Sequence, residues 1–125
     1  MTSVDLDLWS HLGRLVADHR VVIDRPAGST HPEHDWIVYP LDYGELHGTV
    51  SADGDGLDVW LGSGDRTQLT AVGVTYDPYK RDVEVKLLLG CTPAEVECIA
   101  RFWNDHEMAH AFLDRPPMPT REPGA

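Results

Sequence analysis

The sequence predicts an α+β domain, and three observations carry that prediction. Apolar residues recur at three- and four-residue spacing near the N-terminus, apolar runs of strand length fill the middle, and a capped helical pattern follows them. At 125 residues and 42% hydrophobic content the chain suits one domain with a single core. That domain is expected over residues 1–114, with a proline-rich, mobile tail over residues 115–125 and no internal repeat.

Leu6, Trp9, Leu12, Leu15 and Val16 mark one face of an amphipathic helix over residues 3–19. Val21-Val22-Ile23 reads as a short strand, stopped by the turn residues Pro26-Ala27-Gly28-Ser29. A second strand is expected at residues 36–39, then further strands at 57–61, 69–76 and 82–89. In the last of these Val83, Val85, Leu87 and Leu89 share one face, opposite Glu84, Lys86 and Leu88. Thr92-Pro93-Ala94-Glu95 opens a helix: Thr92 caps, Pro93 suits the first helical position and Glu95 closes a capping box. The pattern Val96, Ile99, Ala100, Phe102, Trp103 carries that helix to about His106 or slightly beyond.

The formal net charge is −11, which makes nucleic acid and anionic membrane surfaces poor partners and cations good ones. No apolar run has the length of a membrane span or a signal segment, and a cytoplasmic protein is expected. Cys91 and Cys98 are too few for a disulfide framework and read as reduced packing residues.

The chemistry concentrates in Asp53-Gly54-Asp55-Gly56-Leu57-Asp58. Three carboxylates on a glycine-rich bend repel one another unless a cation sits among them, and a hard divalent ion such as Mg²⁺ or Mn²⁺ suits oxygen ligands. A solvated acidic turn is the plain alternative. An EF-hand is excluded by position, because its sixth and twelfth places would be Asp58 and Gly64 rather than Gly and Glu.

Upstream stands Tyr39-Pro40-Leu41-Asp42-Tyr43-Gly44. Together the two segments resemble the signature region of the soluble inorganic pyrophosphatases, Tyr-Pro-x-Asn-Tyr-Gly followed by Asp-Gly-Asp-Pro-hydrophobic-Asp-hydrophobic. Asp42 replaces the Asn, and Gly56 replaces the Pro. Ile23-Asp24-Arg25-Pro26-Ala27-Gly28-Ser29 resembles that family's Ile-Glu-Ile-Pro-x-Gly-Ser, so the resemblance runs over residues 21–106.

The resemblance implies a small, closed, barrel-like sheet and Mg²⁺-dependent hydrolysis of pyrophosphate or a related phosphoanhydride. It assigns Asp53, Asp55, Asp58, Asp77 and Asp82 to metals, Asp55 also as acceptor of the attacking water's proton, and Lys86, Tyr39 and Tyr43 to phosphate. Asp82 keeps the family's five-residue spacing from Asp77, whereas Glu84 keeps its two-residue spacing to Lys86, and the choice between them stays open. Aromatic core packing is an equal reading of Tyr39. The family is commonly oligomeric, and Trp9, Trp60 and Phe112 are candidates for an interface of a homo-oligomer.

The pattern breaks on its cationic side. His31-Pro32-Glu33-His34 stands where the family has Lys-Tyr-Glu, a hairpin ending in a substrate-binding Arg is missing before Tyr39, and His106-Glu107 replaces a Tyr-Lys pair. Each lost contact to phosphate costs roughly 1.5–3 kcal/mol. Turnover is therefore expected to be weak, and a non-catalytic module binding metal or a phosphorylated metabolite is the alternative. Arg25, Lys80 and Arg81 are the basic residues left to compensate. A third reading comes from His106-Glu107-Met108-Ala109-His110, which spells the His-Glu-x-x-His zinc motif of metallopeptidases. On a helix the two histidines share one face and Glu107 could activate a zinc-bound water. A third ligand is required, and Asp114, His31 and His34 have no diagnostic spacing. The plain alternative is a polar helix end whose histidines meet the helix dipole.

Overall fold

A computed structural model describes residues 7–117. Eight elements follow one another: α1 (Leu8–Asp18), β1 (Val21–Arg25), β2 (Asp42–Leu46), β3 (Leu57–Leu61), β4 (Leu69–Asp77), β5 (Asp82–Leu89), α2 (Pro93–Asp105) and β6 (Ala109–Asp114). The strands form one mixed sheet in the order β1-β2-β3-β5-β4-β6, parallel only between β3 and β5.

Side-chain alternation along β3 shows how the core divides. Val59 and Leu61 join Leu46, Val72, Leu87 and Leu89 beneath Val16 of α1, with Trp9 and Leu12 packed alongside. Trp60 points the other way, into a cluster with Leu88, Ala71, Ile99 and Trp103 of the α2 layer. The central strands are therefore covered on both faces, which is why Leu87-Leu88-Leu89 is continuously apolar and fully buried. Each such leucine contributes about 1.5–3 kcal/mol by leaving water.

This layering corrects the expected closed barrel. The sheet does not close: β1 and β6 remain its two edges, and helices cover the open sheet on both sides. The α+β class stands. The start of the expected N-terminal helix, residues 3–6, lies outside the described residues.

Two strand expectations also change. Residues 36–39 form no strand: only a single bridge joins Val38 to Thr30, closing a loop over the turn at Pro26 to Ser29. The strand lies instead at β2, where Gly44 allows β1 to pass within reach of its backbone. A Cβ at Gly44 would fall 1.9 Å from the Val22 carbonyl oxygen.

The end of α2 settles the zinc motif. His106 is the C-cap, Glu107 is left-handed with φ 60°, Met108 N–H donates to the Trp103 carbonyl (2.8 Å) and Glu107 N–H to that of Asn104 (3.3 Å). That is a Schellman closure built without glycine. Ala109 and His110 then enter β6, so His106 and His110 never stand one helical turn apart and the peptidase reading falls. At the start of the proline-rich segment Arg115 N–H donates to the Thr70 carbonyl (3.1 Å) and its guanidinium to that of Leu69 (3.3 Å). Residues 118–125 lie outside the described residues.

Candidate metal and phosphate site

Beyond the aromatic cluster, the α2 face of the sheet turns polar. In register across it stand Glu45 of β2, Asp58 of β3, Lys86 of β5 and Gly73 of β4; the next level holds Glu84, Thr75 and His110. Lys86 is the centre. Its side chain is only 7% exposed, and its ammonium donates to Tyr43 Oη (3.0 Å), to Glu84 Oε2 (2.8 Å) and to Asp58 Oδ2. Those three bonds use every donor a lysine has.

Burial alone would depress the Lys86 pKa. The Tyr43 oxygen and the Asp58 and Glu84 carboxylates outweigh it and hold the ammonium charged, above the ordinary lysine value. Burial pushes the Tyr43 phenol well above its ordinary range, so it stays neutral despite the neighbouring ammonium. Tyr43 also rests edge-on to Trp60, with ring centroids 4.7 Å apart.

The acidic bend folds beside this group. Asp53 Oδ1 accepts from the Ser51 hydroxyl and from Asp55 N–H (3.0 Å), while Ser51 N–H donates to the Asp55 carbonyl (2.7 Å). Gly54, at φ 91°, supplies the left-handed residue of this turn. The Ser51 hydroxyl, then the Asp55 amide, hold the Asp53 carboxyl below its usual range, with a smaller contribution from Glu84. The plain reading of the bend is thus partly correct, because Asp53 organises its own turn. A cleft of about 450 Å³ nevertheless opens between the bend and the leading half of β5, lined by Asp53, Asp58, Asp82 and Glu84 with Leu57 and Val85. Asp55 is exposed on the bend.

Asp77 is not brought to this cleft. Its Oδ1 accepts from Tyr79 N–H (2.8 Å) and Lys80 N–H (3.1 Å) at the β4–β5 turn. Tyr39 is 9% exposed and packs between Tyr43, Trp60 and Phe102, at ring separations of 5.5, 6.0 and 5.3 Å. Asp42 works structurally, receiving Ala27 N–H (2.7 Å) and pairing with Arg66 (3.1 Å). Trp60 is 1% exposed and so is buried away from any interface, while Trp9 and Phe112 are half-buried against the core clusters.

Sequence reasoning missed Glu45. It stands directly opposite Asp58 in the β2–β3 pairing, and its carboxylate rests against Gly56, where a Cβ would meet it at 2.8 Å. The signal for it was the β2 register, invisible while that strand was placed at residues 36–39.

A hard divalent cation fits the chemistry of these donors, which are oxygens sharing one cleft. Among the described residues, however, no three His, Cys, Asp or Glu side chains are gathered to hold one ion. Lys86 lies between the two carboxylates that would converge.

No protein-family model and no curated protein matches the chain. Among solved structures the fold is similar to that of an inorganic pyrophosphatase from Coxiella burnetii, with a TM-score of 0.53 and 16% identity, over 75% of this chain and 84% of that one. At that identity the likeness is one of fold: the chain has a pyrophosphatase-like α+β architecture.

Proposed function

We propose that the chain hydrolyses pyrophosphate or a related phosphoanhydride with a hard divalent cation, Mg²⁺ or Mn²⁺, drawn to the acidic cleft. The observation that carries this reading is the meeting of Tyr43, Asp58, Glu84 and Lys86 on one sheet face, with Asp53 and Asp82 on the same cleft. Asp53, Asp58, Glu84 and Asp82 would hold the cation, which supplies charge shielding and a water acidic enough to attack near neutral pH. Asp55, exposed on the bend, would take up the attacking water's proton. Tyr43, kept neutral, offers a hydroxyl rather than a second negative charge. The free thiols Cys91 and Cys98 suit a reducing cytoplasm, and among the described residues no helix is long and apolar enough to cross a membrane. Homo-oligomerisation belongs to the same proposal and would use other surface, such as the exposed Trp36 and Val38.

One observation favours a second reading. With its donors spent on Tyr43, Asp58 and Glu84, Lys86 has none left for a phosphate, as expected of a binding module without turnover.

Phosphate release from pyrophosphate at roughly 5 mM Mg²⁺, well above weak Mg²⁺ affinities, separates the two. Turnover lost in Asp55→Ala and Asp58→Ala supports the hydrolase. Release no faster than in those variants, with Mn²⁺ still raising the melting temperature, supports the binding module.

A further inference from the structure

Of the two sheet edges, β1 is protected and β6 is not. β1 carries a bulge between Ile23 and Arg25, two charged side chains, and Pro26 directly after it, all devices that keep a further strand from adding. β6 has none of these. Its register with β4 runs unbroken from Ala109 to Asp114, and the strand holds no Lys, Arg or Pro. The bond from Arg115 N–H to the Thr70 carbonyl fixes the phase of that ladder. Leu113, Ala111 and Ala109 turn their N–H and C=O groups toward β4, so His110, Phe112 and Asp114 turn theirs outward, where no strand of this sheet receives them.

This edge is complementary to itself. Set antiparallel to a copy about a twofold axis at Phe112, it brings His110 opposite the partner's Asp114, Asp114 opposite the partner's His110, and Phe112 opposite its own equivalent. All three are outward-directed residues, so each pair exchanges two backbone hydrogen bonds. The side chains agree with the backbone. A carboxylate faces an imidazole, a pairing of opposite charge when the ring is protonated, and the two phenyl rings form an aromatic pair. A shift of two residues either way loses both His110–Asp114 pairs. On the other sheet face Leu113, 56% exposed, comes against the partner's Ala111. That face continues apolar across the sheet, where Tyr76, Val83 and Val85 are exposed.

We propose that β6 is an interface for a second copy of this chain, which adds by antiparallel β6–β6 pairing about a twofold axis at Phe112 and joins the two sheets into one. The pairing is isologous, so the outward groups of both copies are satisfied with no third chain. It does not rest on the phosphoanhydride reading. It is also distinct from an association through Trp36 and Val38, which lie in the loop before β2.

Sedimentation equilibrium of the full-length chain tests the interface. The wild type is expected to be a dimer at about 100 μM, a concentration at which micromolar association is complete enough to read. Leu113→Lys places a charge on the exposed edge, and Asp114→Pro removes an outward N–H that the β4–β6 ladder does not use. Each should raise the dimer dissociation constant at least tenfold, while Trp36→Ala leaves it unchanged. Melting curves establish that each variant is folded. Should Asp114→Pro unfold, Leu113→Lys carries the test together with Ala111→Cys/Leu113→Cys, made in a Cys98→Ser background at two exposed positions. Oxidation of that variant should give a covalent dimer, because the two positions face each other across the axis. A wild type that stays monomeric at that concentration, or a dimer indifferent to Leu113→Lys and to Asp114→Pro, overturns the interface. A dimer lost only in Trp36→Ala does the same and moves association to the loop before β2.

Discussion

Asp58 and Lys86 stand directly opposite one another in the parallel β3–β5 pairing, and their side chains form an ion pair on the α2 face of the sheet. The pair is part of a larger group, because Glu84 and Tyr43 complete the surroundings of the same ammonium. A buried cation thus neutralises the carboxylates that a metal would need.

Removing it should be costly. Lys86→Met leaves Asp58 and Glu84 facing each other without a counter-charge, each about 30% exposed by side chain. Breaking such a group costs about 2–4 kcal/mol, near the lower end for fully buried pairs because water still reaches the acids. Urea unfolding at neutral pH measures this. Adding Glu84→Gln to Lys86→Met should restore part of the loss, and a double variant no better than the single one would refute the charge argument.

The same substitution should improve metal binding. With the ammonium gone, a divalent cation is the natural replacement between Asp58 and Glu84. Mn²⁺ is expected to bind Lys86→Met at least tenfold more tightly than wild type, read as a larger rise in melting temperature at equal Mn²⁺. Equal shifts would mean that lysine and metal do not compete.

Gly44→Ala should be among the most damaging single changes away from the site. The new methyl group would meet the Val22 carbonyl at 1.9 Å, and backbone cannot swing aside as a side chain does. A loss of more than about 3 kcal/mol is expected, through displacement of β1 from β2. Circular dichroism melting reports it.

Glu95 links two segments and gives a pH signature. Its carboxylate accepts from Thr92 N–H (2.9 Å), from Ser63 N–H (3.1 and 3.0 Å) and from the Ser63 hydroxyl (3.2 Å). Burial would raise its pKa, but these donors prevail and lower it. A depressed carboxyl stabilises the fold above its unfolded pKa, and that contribution is lost as pH falls through the folded value. Glu95→Gln should therefore cost about 1–2 kcal/mol at pH 7. Its difference from wild type should shrink below about pH 4. A gap independent of pH would remove ionisation from the account.

What was legible in the sequence follows from how local each signal is. The strand at Asp82–Leu89 and the Thr92 capping box appear where the residues placed them, because alternation and capping are decided within a few positions. β2 was hidden. Asp42-Tyr43-Gly44-Glu45 has low strand propensity, and its glycine serves a close contact with β1 that no local pattern reveals. β6 was hidden for the opposite reason: apolar spacing runs past Trp103, and the helix ends on Glu107 rather than on the glycine that usually announces a stop. Tyr43, Asp58 and Lys86 meet on one sheet face. Two-residue spacing along β5 puts Glu84 beside Lys86, whereas register alone places Glu45 and Arg25 on that face.

The strand order carries a consequence for how the protein is assembled in time. β4 and β5 close as a hairpin across a short turn, whereas β3 must find β5 with the whole of β4 between them. Loop-closure entropy favours the hairpin first and the parallel pairing late. Asp58 and Lys86, 28 residues apart, meet only at that late step. Interactions formed after the transition state are felt in the unfolding rate. Loss of this ion pair should therefore steepen escape from the native state and leave the refolding limb of the chevron nearly where it was.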